Sequence, residues 1–146
     1  MKTNTIIIML SIFLVSCGSG RQSQDDGNNN HDLDTFWEGF QKTIVTQDYS
    51  TLSDLTFYPF LNHGFYLSEQ EFSELRFPEY IIEAIGSAGL PVKSSMMFGG
   101  GSDIEGNFVD VDFSGSEILE VDLDGPAIYF AEIDGKYKFI AILYGE

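Results

Sequence analysis

Four carboxylates in the C-terminal third alternate with apolar neighbours: Asp110 and Asp112, then Glu120 and Asp122. If Ser114-Gly115-Ser116 is a three-residue hairpin loop, Asp110 faces Glu120 and all four share one sheet face. Like charges directly opposite one another destabilise a sheet. Two readings follow: the four are solvated, or they hold Ca²⁺, which takes several hard oxygens. The run Glu120-Val121-Asp122-Leu123-Asp124-Gly125 has the outward form of an EF-hand loop. Its first position is Glu, its twelfth is Ala131, and it alternates like a strand, so an EF-hand is rejected. His63, within Phe60-Leu61-Asn62-His63-Gly64-Phe65-Tyr66, could serve as a general base or ligand. A loop or packing position is its more ordinary reading. His31 lies in a polar tract, and two histidines so placed do not build a zinc site or a Ser-His-Asp triad. Gly99-Gly100-Gly101-Ser102 lacks the Lys and the helix of a phosphate loop, and Ser114-Gly115-Ser116 is no nucleophile elbow. No cofactor is implied.

The charge balance narrows the partners. Lys and Arg number 7 against 23 Asp and Glu, a formal net charge of −16. Such a surface repels phosphate backbones, which argues against nucleic acid. It favours solubility, cations or a basic protein partner.

The remaining reactive group is Cys17, the chain's one cysteine. Lys2 precedes an apolar run from Ile6 to Val15, broken by Ser11. A cationic start and about ten apolar residues fit a secretory leader, and the run is shorter than the roughly twenty residues that span a bilayer. Leu14-Val15-Ser16-Cys17-Gly18 closely resembles the signal of bacterial lipoproteins. The resemblance implies cleavage after residue 16, a diacylglycerol on the Cys17 sulfur and an acylated amino terminus. A single chain, at ~0.8 kcal/mol per buried CH₂, anchors only marginally, so acylation at both positions meets the need for more than one. The folded part would then have no cysteine for a disulfide. Gly18 resembles outer-membrane sorting signals, and Gln24-Asp25-Asp26 resembles the acidic signals of surface-exposed lipoproteins. The expected location is thus the cell envelope, at the outer membrane, on its periplasmic or outer face. Residues 17–32 hold the cysteine and a Gly, Ser, Asn, Gln and Asp tract, expected to be a flexible tether of roughly 20 Å mean reach.

Residues 33–146 suffice for one domain, with a core fed by 13 Phe and 7 Tyr across the chain. Leu33, Phe36, Trp37, Phe40 and Ile44 fall at helical spacing, with Asp32 or Asp34 as N-cap. A short helix over Thr51 to Leu55 ends before Tyr58-Pro59. Ser68 and Glu71 have the form of a capping box. Pro78 is expected at N1, the first position of a further helix, closed by Gly86 and packed through Ile81, Ile82 and Ile85. Residues 108–113 and 118–123 then alternate as half-buried strands. Asp134-Gly135 marks a two-residue type I′ hairpin. Counting back from it sets Phe130 opposite Phe139, Tyr129 opposite Ile140, Ile128 opposite Ala141 and Ala127 opposite Ile142. Both faces of this hairpin are apolar, so one packs on the helices and the other meets a loop, a pocket or another protein.

Helices followed by an antiparallel meander define an α+β domain. The arrangement looks like the cone-shaped NTF2-like fold. Phe36-Trp37, Phe40, Asp48, Leu52, Leu55-Thr56, Pro59-Phe60 and Asp134-Gly135-Lys136-Tyr137-Lys138 resemble small exported lipoproteins of Gram-negative bacteria. The function of those lipoproteins is generally unassigned. The first reading is a non-catalytic envelope module that binds a protein or small ligand on an apolar patch or cone mouth near Tyr129, Ile140, Ile142 and Tyr144, with His63 as a further candidate. The alternatives are a Ca²⁺-dependent module on the four carboxylates, or an NTF2-like isomerase or dehydratase with His63 or an acid in a closed pocket.

Overall fold

The computed structural model describes residues 27–145, with side chains from Asp32 onward. The leader, Cys17 and the tether up to residue 26 lie outside the described residues. In chain order the elements are α1 (Gly27–Val45), α2 (Tyr49–Leu55), β1 (Thr56–Asn62), β2 (Phe65–Leu67), α3 (Glu69–Glu74) and α4 (Glu79–Ser87). They continue with β3 (Val92–Lys93), β4 (Gly101–Asp103), β5 (Phe108–Val109), β6 (Ile118–Asp122), β7 (Pro126–Ile133) and β8 (Lys136–Tyr144). The domain is α+β, with an 8-stranded sheet in the order β3-β6-β7-β8-β1-β2-β4-β5. This sheet is mixed rather than an antiparallel meander, because β1 runs parallel to β8 and β2 parallel to β4.

The helices follow their local signals with three corrections. Pro78 stands one residue before α4, at its N-cap, rather than at the first helical position. α1 begins at Gly27, so Asp32 and Asp34 lie inside it and cap nothing, and the last residues of the expected tether are helical. No proline interrupts 27–33, and extending a formed helix adds one bond per residue fixed. Gly86 lies within α4 rather than past its end. A Cβ on Gly86 would approach Val45 Cγ2 to 2.9 Å, so the missing side chain lets α4 lie close to α1. The carbonyls at the end of α4 are met by α1 instead: Gln41 Nε2 donates to Ile85 O (2.8 Å) and Ala88 O (3.0 Å). The capping box forms as expected. Ser68 Oγ accepts from the Glu71 N–H (3.3 Å), and the Ser68 N–H donates to Glu71 Oε2 (2.7 Å).

Four strands, β1 to β4, stand where none was expected. The segment around His63 is the β1–β2 hairpin, with His63 (φ 44°) and Gly64 (φ 91°) at its tip. Pro59 disguised β1, since proline donates no ladder bond. The β1–β8 register shifts between Thr56 and Leu61, and Pro59 falls inside that irregular stretch. Conversely, the expected strand over 108–113 shrinks to β5, which pairs with β4 and not with β6. The partners of β6 are β3 and β7, so the hairpin through Ser114-Gly115-Ser116 does not exist.

The Asp134-Gly135 turn has positive φ at both residues (51° and 73°) and closes β7 on β8. The register counts back correctly to Phe130 opposite Phe139, then slips. Tyr129 faces Ala141, Ile128 faces Ile142 and Ala127 faces Leu143, because Ile140 is an extra residue in β8. That bulge sorts the hairpin into two cores. Ile128, Phe130, Phe139 and Ile142 join side chains of all four helices in an aromatic core. Phe40 lies at its centre, with ring centroids 4.9 Å from Phe130 and 5.1 Å from Phe139. Burying each such ring is worth about 1.5–3 kcal/mol. On the opposite face Tyr129, Ala131, Ile140 and Ala141 pack under Phe98, Val111 and Phe113. Of the three coverings open to the second face, a loop is the one that covers it. Tyr66 pins that loop by donating from its hydroxyl to Gly99 O (2.5 Å). Among the described residues no helix is long and apolar enough to cross a membrane.

Candidate functional site

The candidate site is a cleft of about 400 Å³ at one end of the outer sheet face, beside the second core. Alternation along β6 sends Leu119, Val121 and Leu123 into the helix-side core and leaves Glu120 and Asp122 on the outer face. In register with them on β7 are Tyr129, opposite Glu120, and Ala127, opposite Asp122. Leu143 and Tyr144 from β8 and Met96 from the covering loop complete the lining. The cleft ends at the β6–β7 turn, where Asp124 (φ 58°) and Gly125 (φ 144°) take positive φ and the Gly145 N–H donates to Gly125 O (2.9 Å).

Each carboxylate is held by one oxygen. Ser94 Oγ donates to Glu120 Oε2, and the Met96 N–H donates to Ser94 Oγ (3.1 Å). Asp122 Oδ1 accepts from the Asp124 N–H (3.0 Å). Glu120 Oε1 and Asp122 Oδ2 accept nothing from the described residues. Neither carboxylate is ion-paired, since the single salt bridge among the described residues joins Lys93 to Glu117.

Tyr129 is the unusual member. It is 5 % exposed, and its ring meets the edge of Phe98 at 5.0 Å. Its hydroxyl is not sealed in without a partner, since no buried side-chain oxygen among the described residues is left unbonded. Burial raises its pKa, and the charges of Glu120 and Asp122 raise it further, so the phenol stays neutral across the physiological range. Burial also raises the pKa of Tyr144, with a contribution from Tyr80. Two larger clefts exist, of about 470 and 540 Å³. The first is lined by Lys136 and Lys138 beside Asp32 and Asp54, and the second by two stretches of loop. In none of the three clefts is a buried side-chain polar atom left without a partner.

The residues expected from sequence are redistributed. Glu120, Asp122, Tyr129 and Tyr144 come together. Asp110 and Asp112 do not face them; both are exposed in the segment after β5, and Asp112 Oδ1 accepts from its own loop at the Ser114 N–H (2.7 Å). Among the described residues no group of three or more His, Cys, Asp or Glu is placed to hold a metal ion. Ile140 (1 % exposed) joins Tyr129 in the second core and Ile142 (0 %) joins Tyr144 at the helix-side core, so the β8 bulge splits the expected patch of four in two. His63 is exposed on its hairpin tip, its ring edge-on to Tyr144 at 5.4 Å, and does not enter a closed pocket. Sequence reasoning missed Ser94 and Met96, which lie in a run without periodicity; the apolar Met96-Met97-Phe98 amid small polar residues was the available signal.

The cleft thus offers anionic oxygens, a neutral phenol and apolar walls. No family model, curated protein or solved structure matches the chain.

Proposed function

We propose that the protein is a lipid-anchored module of the bacterial cell envelope, held at the outer membrane through Cys17, whose domain binds a ligand or partner without catalysis. The anchor reading rests on Leu14-Val15-Ser16-Cys17-Gly18 behind the apolar leader. The binding reading is supported by the cleft at the end of the outer sheet face, where the largely buried Tyr129 stands beside two carboxylates that make no ion pair among the described residues. The finer fold reading is an NTF2-like cone. In its support, all four helices pack on one sheet face, and the β1–β2 hairpin lies beside the last strand.

Labelling cells with a palmitate analogue tests the anchor. The wild type is expected to carry the label and sediment with membranes, and Cys17→Ser to lose both. A full-length, unlabelled wild-type chain in the cytosol overturns the reading. For the module, a photo-crosslinker at Met96 in intact envelopes is expected to give a discrete adduct that Tyr129→Phe diminishes. No adduct, or one indifferent to that substitution, counts against it.

A further inference from the structure

We propose that an uncovered aromatic row at the β2-β4-β5 end of the sheet docks a basic segment of a partner protein, with an aliphatic side chain between its cations. Phe65 on β2 lies opposite Ser102 on β4, and Ser102 lies opposite Phe108 on β5. Residues directly opposite share a sheet face, so the three form one row. Phe65 is 52 % exposed and Phe108 76 %, and Ser102 between them is exposed as well. At the usual strand spacing the two aromatic positions stand roughly 10 Å apart, which leaves a slot floored by the small serine. Alternation along β2 puts Phe65 on the same face as Leu67, which joins the helix-side core. The helix layer stops short of the row: α3 reaches β1 and β2, and Phe65 and Phe108 are left bare. Ile104, in the turn from β4 to β5, adds to the exposed apolar surface. Contiguous apolar surface rimmed by polar residues marks an interaction site.

Charge selects the occupant. Asp103, Glu105 and Asp110 flank the row in sequence, and no Lys or Arg occurs between Lys93 and Lys136. The single salt bridge among the described residues joins Lys93 to Glu117, so none of these three acids is ion-paired. A second copy would bring the same acids, and a further net charge of −16, against them. An anionic lipid surface would be repelled likewise. A basic segment meets both features. Its aliphatic side chain fills the slot over Ser102, while Lys or Arg on either side reaches the carboxylates and the exposed ring faces. The inference names a partner class for the module. The row shares no residue with the cleft beside Tyr129, so the two readings stand or fall separately.

The test is titration of the full chain, in detergent, with three short peptides, followed by amide and aromatic chemical shifts. One peptide alternates Arg with Val, one Arg with Ser and one Glu with Val. The first is expected to bind saturably, with shifts centred on Phe65, Ser102 and Phe108. The other two, each lacking one of the two features, are expected to bind at least about tenfold more weakly. Phe65→Ala and Phe108→Ala should each lower affinity for the Arg–Val peptide about tenfold, whereas Tyr80→Ala, which removes an exposed ring on α4, should not. Near-ultraviolet circular dichroism checks each variant's fold, and the wild-type shift map decides if one fails to fold. Overturning results are no saturable binding, shifts centred elsewhere, equal affinity for either control peptide, or an equal loss in Tyr80→Ala. Two further outcomes overturn the choice of occupant. A dimer seen by sedimentation that Phe108→Ala dissolves assigns the row to a second copy. Broadening of the Phe65 and Phe108 signals by spin-labelled phosphatidylglycerol in bicelles assigns it to a lipid surface. If the Met96 crosslink forms while no peptide binds, the row loses its role and the module reading stands.

Discussion

Phe130 and Phe139 face each other across β7 and β8 with ring centroids 5.6 Å apart, and one position further from the turn the ladder slips, so that Tyr129 faces Ala141. This pair holds the register at the point where the aromatic core is densest. Phe130 also meets Phe36, Trp37 and Phe40 at centroid distances of 5.5, 5.8 and 4.9 Å.

Phe130→Ala should therefore cost about 3–5 kcal/mol, a cavity plus lost transfer energy. Phe108→Ala, at a ring 76 % exposed, should stay within about 0.5 kcal/mol. Urea unfolding of the two variants checks the contrast, and similar losses would contradict the burial assigned here.

The Ser68–Glu71 capping box should be worth about 1 kcal/mol to Ser68→Ala. Glu71→Gln keeps an acceptor for the Ser68 N–H, so a smaller loss is expected from the same denaturation measurement.

Gly100→Ala should open the β4–β5 end of the sheet. Its Cβ would lie 2.6 Å from Phe108 Cζ and 2.9 Å from Val109 O. The exposed ring can swing aside, but the carbonyl is main chain, so β5 must shift at a cost of roughly 1–3 kcal/mol. Gly99→Ala has nothing within 4 Å of its Cβ and is the matched control. Amide exchange across β4 and β5 should quicken in the first variant alone.

Alkaline pH should unfold the domain through its tyrosines. Tyr58, Tyr66, Tyr129, Tyr137 and Tyr144 all have pKa values raised above the ordinary 10.0, with burial as the first cause. A raised pKa in the folded state means that stability is complete below pH 10 and is lost as pH climbs through the folded values. The urea midpoint should be flat approaching pH 10 and fall above it, with phenolate absorbance appearing as the protein unfolds. Complete phenolate titration at ordinary pH in a protein that stays folded would contradict this.

Local signals carried the helices and the final turn. The stripe from Leu33 to Ile44, the Ser68–Glu71 box and Asp134-Gly135 act within a few residues, so their chemistry is readable without partners. The leader and Cys17 were likewise read as a linear motif, which needs no fold. Of the candidate site, the sequence alone named Glu120, Asp122, Tyr129 and Tyr144, through their alternation along strands. Tertiary structure decided which of them meet. Strand partners are chosen by burial over the whole sheet, so β6 pairs with β3 and β7 rather than with its neighbour in sequence, and Asp110 and Asp112 are left outside. One extra residue at Ile140 changes which side chains share a face, because strand side chains alternate with a period of two. No local pattern announces that slip. It is fixed by where Phe139 and Ile142 must lie to fill the helix-side core while Tyr129 and Ile140 fill the other.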